Sequence, residues 1–173
     1  HEQHAFRVQC LHRALIVGVK TVADVMQHDV YTVASDATVR DAVRMMLEKN
    51  ISGMPIVDDE RHVVGFISDS DVLRRFAQDN APVSDISTLV TGMARGEFPE
   101  LSHAELLDMN VMVIAAKPAV AVQSDANIAQ VCQMFGYQQY KKVPVVEQGK
   151  LVGVVNRGRL TRRSFEACLG TAE

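Results

Sequence analysis

The sequence contains no tryptophan, and aromatic residues make up only 5% of its 173 residues. A core built with so few rings must be made of Val, Ile, Leu, Ala and Met. Cysteine is scarce too. Cys10, Cys132 and Cys168 are far apart, odd in number and form no CxxC pair. This excludes a disulfide framework and fits free or buried thiols of a reducing compartment. No run of ~18 apolar residues occurs, so no segment of this chain is expected to enter a membrane. Neither sign of charge dominates: 18 Lys and Arg face 21 Asp and Glu, for a net charge of −3. Without a global basic field, a dedicated nucleic-acid binder is disfavoured. What remains is ordinary for a folded chain, with 47% apolar and 23% charged residues. Those shares exclude a mainly disordered chain, a collagen-like one and a coiled coil. At roughly 150 residues per domain the length gives one domain or two small ones. Chains of this size bury about 70% of their unfolded surface, enough for a core without staples. The first residue is His1 and no signal-peptide pattern follows, which fits a piece of a longer protein.

The chain repeats itself. Ser35-Asp36-Ala37 recurs as Ser124-Asp125-Ala126, an offset of 89 (124 − 35). At that offset Val33 matches Val122, Val39 matches Ile128, Pro55 matches Pro144 and Val57 matches Val146. The following turn is one residue shorter in the second copy, and the offset drops to 88. Gly65 then matches Gly153, and Val72-Leu73-Arg74-Arg75 matches Leu160-Thr161-Arg162-Arg163. The expected organisation is an N-terminal helical segment over 1–21, a repeat over 22–78, an insert over 79–106, a repeat over 107–169 and a tail over 170–173.

Each copy has one grammar, β-α-β-β-α. In the first, Val30 to Val33 predicts a strand, and Thr38-x-x-Asp41 a capping box opening a helix to Lys49. Val39, Ala42, Val43, Met46 and Leu47 mark its apolar face. Strands are predicted over Met54 to Val57 and Val63 to Ser68, then a helix over Asp69 to Gln78 with acids in its first turn. In the second, strands are predicted at Ala119 to Val122, Val143 to Val146 and Leu151 to Asn156, with Gln148-Gly149 in the turn. Helices are predicted over Asn127 to Tyr137 and Arg157 to Cys168. The fold class is α/β, of the α+β kind. One copy is too small to bury both faces of its sheet, so the two should pack together about a pseudo-twofold axis. The insert predicts a helix over Ile86 to Ala94 and a Ser102-x-x-Glu105 capping box, forming a lid or docking surface. Phe6 to Val19 has helical apolar spacing.

The ordered duplication, the Ile51-Ser52-Gly53-Met54-Pro55-Ile56-Val57-Asp58 run, the Gly65-Phe66-Ile67-Ser68-Asp69-Ser70-Asp71 run and the lead-in Val22-Ala23-Asp24-Val25-Met26 resemble a tandem CBS-domain pair, the Bateman module. The resemblance implies a regulatory module rather than an enzyme. Members bind AMP, ADP, ATP, S-adenosylmethionine or nothing visible, commonly form homodimers, and control an attached or associated protein. It implies a cytoplasmic location, or the cytosolic face of a membrane protein.

The family's nucleotide signature is Gly, two apolar residues, Ser or Thr, two variable residues, then Asp. The first copy fits it from Gly65 through Ile67 and Ser68 to Asp71. A carboxylate can accept two hydrogen bonds from a ribose diol. Ser68 and Ser70 can donate to phosphate, and Gly65 admits a close backbone. On local grounds alone, Asp71 is equally a helix N-terminal acid capped by Ser68. The second copy departs: Asn156 replaces the hydroxyl residue and Arg159 the acid. Arginine has no acceptor, so that half is not expected to hold adenosine in the usual pose. The basic run Arg157, Arg159, Arg162 and Arg163 is a solvated or interface face, or an anion site. By family resemblance each cleft borrows from both copies. Tyr140, Lys141 and Lys142 would then face the Asp71 cleft, or the cleft between the copies, offering a ring and two charges. Ser52 and Gly53 are their first-copy equivalents, and Val113 would complete the base pocket. Lys141-Lys142 is otherwise an ordinary exposed basic pair.

No other chemistry stands out. His1 and His4 are helically spaced, but His12, His28, His62 and His103 are scattered and build no ligand set. Magnesium would come only with a bound nucleotide. No phosphate loop or nucleophile signature occurs. The expected function is adenine-nucleotide sensing in one inter-repeat cleft, with no required cofactor. The alternative is a ligand-free dimerisation or docking module, possibly the cytosolic part of a membrane protein.

Overall fold

The computed structural model describes residues 19–79, 103–138 and 140–169. The helices predicted over 6–19 and 86–94 and the Ser102 cap lie outside the described residues. The element order is β1 (Val33–Ala34), α1 (Val39–Lys49), β2 (Gly53–Val57), β3 (Val63–Ser68) and α2 (Asp69–Asp79). Then come the short α3 (His103–Asp108) and α4 (Val111–Ile114). The second copy repeats the pattern with β4 (Val122–Gln123), α5 (Ile128–Tyr137), β5 (Lys142–Glu147), β6 (Lys150–Asn156) and α6 (Arg157–Leu169). This is a mixed α/β fold with two three-stranded sheets, ordered β1-β2-β3 and β4-β5-β6.

Local chemistry accounts for most boundaries. Thr38 Oγ1 accepts from the Asp41 amide at 3.2 Å, and the Asp41 carboxylate accepts from the Thr38 amide at 3.0 Å. This reciprocal pair opens α1. Asn50 ends it in the left-handed region at φ 51°. Val39, Ala42 and Met46 bury the inner face of α1. In β2 every residue is buried, as expected for a strand covered on both faces. Gln148 and Gly149 both have positive φ, 51° and 80°, and join β5 to β6 as a two-residue hairpin turn. The leading strands are shorter and later than predicted. Val33 and Ala34 pair in parallel with Ile56 and Val57, and Val122 and Gln123 with Val145 and Val146. In both sheets the pairing begins just after a proline of the partner strand, Pro55 or Pro144, which has no amide to give to the ladder.

The chain divides into two compact units that do not follow the sequence repeats. One comprises the residues up to Tyr31, Glu60–Val63 and everything from Val120; the other comprises Thr32–Asp59 and Val64–Ala119. In the first unit, the lead-in residues Val22 and Val25 join the core made by Val131, Phe135, Val143, Val145, Val155 and Leu160. The amides of Val22 and Ala23 donate to Ala126 and Ser124 carbonyls at 3.0 and 2.9 Å, and Gln27 and Val154 exchange two bonds. In the second unit, Val111 and Ala115 join Val33, Ala42, Met46, Met54, Ile56 and Ile67. Phe66 and Ala116 exchange the equivalent two bonds at 3.1 and 2.9 Å. The segment leading into each repeat therefore completes the core of the other. A bare three-stranded sheet leaves apolar surface open, and this strap closes it.

Candidate functional site

The signature residues of the first copy sit where β3 passes into α2. Ser68 is the last strand residue and Asp71 lies in the first helical turn. Asp71 Oδ2 accepts from the Ser68 amide at 2.9 Å and from Ser68 Oγ at 2.7 Å. Its Oδ1 accepts from Arg74 at 3.0 Å. The Asp71 amide reaches back toward Ser68 Oγ at 3.4 Å. Local capping geometry is therefore present. A carboxylate offers about four lone-pair sites. Two on Oδ2 and one on Oδ1 are used, which leaves one on Oδ1. The Ser68 hydroxyl can rotate, and the Arg74 side chain is 63% exposed and can swing away.

The same Thr-or-Ser box occurs at Thr21/Asp24 and Thr38/Asp41. In both, hydrogen bonds from the threonine backbone amide hold the carboxyl below its ordinary range. Those two aspartates are exposed. Asp71 is 8% exposed and is the single buried charged side chain among the described residues. Capping does not require that burial, so Asp71 is the unusual member of the three.

The remaining candidates separate. Ser52 is exposed, and its carbonyl accepts from the Asp69 amide at 2.9 Å, tying the start of β2 to the start of α2. Gly53 is buried; a Cβ there would lie 2.9 Å from the Ile67 carbonyl oxygen and 2.9 Å from Phe66 Cε1. A Cβ on Gly65 would lie 3.5 Å from the Ala116 carbonyl oxygen, so the backbone it admits is this chain's own strap. Ile67 is a core residue with no exposed surface. Ser70 is exposed; its amide donates to the Asp69 carboxylate at 2.7 Å. Val113 is 57% exposed, on the opposite side of α4 from the buried Val111.

Tyr140, Lys141 and Lys142 belong to the other compact unit. Tyr140 packs partly against the core containing Val143 and Val155. Lys141 is exposed and its carbonyl accepts from the Arg157 amide at 2.9 Å. This bond repeats the Ser52–Asp69 bond of the first copy. Lys142 is half-buried, and burial lowers its ammonium pKa from the ordinary lysine value. Asn156 Oδ1 accepts from the Arg159 amide at 3.2 Å, so Asn156 caps α6 as Ser68 caps α2. Arg159, in the place of Asp71, is exposed. Among the described residues no cluster of His, Cys, Asp and Glu forms a metal site. No helix among them is long and apolar enough to cross a membrane.

Two β-α-β-β-α units, each completed by the other repeat's lead-in, define a tandem α/β repeat protein. The CBS domain family profile matches residues 22–78 and 111–166, and the chain belongs to that family. It is 28% identical over 167 residues to the chloroplastic CBS domain-containing protein CBSX1 of Arabidopsis thaliana, covering 86% of this chain and 66% of that protein. The chain thus spans just under two thirds of that relative's length. Among solved structures, it is similar to CBSX2 of Arabidopsis thaliana in complex with AMP, with a TM-score of 0.62 and 22% identity over 84% of this chain and 96% of that one. It is also similar to the CBS domain of a CBS domain-containing membrane protein from Sphaerobacter thermophilus. There the TM-score is 0.64 and the identity 25%, over 91% of this chain and 96% of that one.

Proposed function

We propose that this chain is a regulatory module that binds an adenine nucleotide, AMP, ADP, ATP or a related adenosyl ligand, through its first repeat. The observation carrying this reading is the burial of Asp71 beyond what its capping role requires. In the proposal Asp71 accepts from the ribose diol, using the open site on Oδ1 and the one vacated by Arg74. Ser68 and Ser70 donate to phosphate, and Ser52, Gly53, Gly65 and Ile67 shape the strand ends beside them. By the family resemblance, Val113 of the same compact unit completes the base pocket. The AMP complex of CBSX2 supports the ligand class. Binding alters the balance between conformations, and an attached or associated protein responds. No catalytic step and no required cofactor are assigned, and magnesium accompanies only a bound nucleotide. The same proposal places the module in a cytosolic compartment as a homodimer. Calorimetric titration of AMP, ADP, ATP and S-adenosylmethionine tests it. Saturable binding of at least one supports the reading, and no binding of any of the four removes it.

A second reading has its own observation. Both Asp71 oxygens are already engaged by Ser68 and Arg74. The chain would then be a ligand-free docking or dimerisation module, possibly the cytosolic part of a membrane protein. A folded dimer silent in all four titrations is its signature.

A further inference from the structure

Each compact unit seats two long helices on its core and leaves their outer sides uncovered. In one unit α1 lies over the core containing Met54 and Ile56, and α2 packs beside α1. In the other, α5 and α6 place Val131, Phe135 and Leu160 in one shared core. On the outer sides Leu47 of α1, Leu73 of α2, and Phe165 and Leu169 of α6 are each more than half exposed. Phe165 and Leu169 are four residues apart and Arg162 stands three before Phe165, so all three share one side of α6. Large apolar side chains gathered on helix faces mark contact surfaces.

The two surfaces differ in charge. Around Leu47 and Leu73, Arg40 and Arg74 are neutralised by Asp108 and Asp71 at 2.8 and 3.0 Å. The exposed Arg44 and Glu48 have opposite signs, and neither joins an ion pair among the described residues. In the other unit α5 has no charged residue, and α6 carries Arg157, Arg159, Arg162 and Arg163 against Glu166 alone. From Gln148 to Phe165 the chain has five cations and no acid. A two-fold contact between identical patches sets each patch against itself. With α6 against α6, arginines would face arginines, and like charges across an interface repel. Turning α6 toward the mixed-charge surface removes that clash and supplies Glu48 as a counter-charge.

We infer that two copies of this chain associate unlike to unlike: α6 of one copy lies against α1 and α2 of the other, with Phe165 and Leu169 on Leu47 and Leu73, and Arg162 facing Glu48. A two-fold pair makes this contact twice. The inference rests on the homodimer reading above, names the surfaces that form the dimer, and does not depend on nucleotide binding.

The test is disulfide trapping in the full chain carrying Cys10→Ser, Cys132→Ser and Cys168→Ser. Sedimentation confirms the dimer and melting temperatures confirm folding. Leu47→Cys and Phe165→Cys are added to that background separately, and oxidised alone and as an equimolar mixture. The expected result is a covalent dimer in the mixture and none from either variant alone. A covalent dimer from either variant alone overturns the arrangement and leaves the homodimer reading standing. So does a mixture that gives no covalent dimer while sedimentation shows association. A chain that sediments as a monomer removes the homodimer reading and this inference with it. Arg162→Gln in the otherwise native chain tests the charge argument. It should weaken dimerisation roughly three- to tenfold, because Glu48 loses its counter-charge in both contacts. Glu48→Gln should do the same. Unchanged or tighter dimerisation in Arg162→Gln, the latter being the mark of α6 against α6, overturns the inference.

Discussion

Exchange of lead-in segments makes an unusual demand on mutations: their effect should fall on the repeat far away in sequence. Val22 opens the first repeat but lies with no exposed surface in the core containing Val143, Val145 and Val155. Val22→Ala removes two buried methyl groups, worth about 0.8 kcal/mol each by transfer. A residual cavity adds to this, for about 2 kcal/mol in all. Since 1.4 kcal/mol is tenfold, the opening equilibrium should rise by roughly twenty- to thirtyfold. Amide hydrogen exchange read by mass spectrometry should show this acceleration in peptides over β5 and β6. Peptides over β2 and β3 should change less. Val111→Ala should do the reverse, because Val111 is fully buried with Met54, Ile56 and Ile67. If Val22→Ala instead accelerates β2 and β3 more than β5 and β6, the strap assignment is wrong.

Gly53→Ala should destabilise the fold by roughly 1–3 kcal/mol in urea unfolding, because its Cβ would lie 2.9 Å from the Ile67 carbonyl oxygen. A destabilisation no greater than that of Gly65→Ala would contradict this. Gly65→Ala meets the end of the Ile56 side chain at 3.3 Å as its nearest neighbour, and its other contacts lie at 3.5 Å. Gly136→Ala should stabilise by about 0.5–1 kcal/mol, since Gly136 is in α5 and a Cβ there meets nothing within 4 Å. A lower melting temperature would refute that. For pH, Asp24 and Asp41 have folded-state values held below the ordinary 3.8. Their stabilisation is complete above the unfolded value and is lost as pH falls through the folded values. Melting temperature should drop on acidification below about pH 4, and less steeply in Asp41→Asn. An unchanged acid slope in that variant would exclude the α1 cap as a contributor.

The repeated β-α-β-β-α order was legible because it is written in local signals. Thr38 and Asp41 sit three apart before an apolar stripe, and Gln148-Gly149 sits between two apolar runs. The destination of Val22 and Val25 was not legible, since apolar spacing shows that a segment is buried but not against which sheet. Ile67 illustrates the limit within a motif. Its neighbours Ser68 and Asp71 face the strand-to-helix junction, but strand alternation turns Ile67 into the core. Val113 and Val111 are both apolar residues of one short helix, and only packing decided that Val111 is buried. The distinction between Asp71 and the otherwise similar Asp24 and Asp41 lies in burial, which the local Ser-x-x-Asp pattern does not encode.

The presence of the acid in the first copy alone, with Arg159 in the place of Asp71, makes a sharp statement about stoichiometry. Calorimetric titration of AMP into wild type and Asp71→Asn tests the central claim most directly, because an asparagine amide oxygen can still accept from the Ser68 amide while the carboxylate is lost. The account predicts one AMP per chain, with affinity reduced at least tenfold by Asp71→Asn. Two AMP per chain, or binding undiminished by Asp71→Asn, would contradict it.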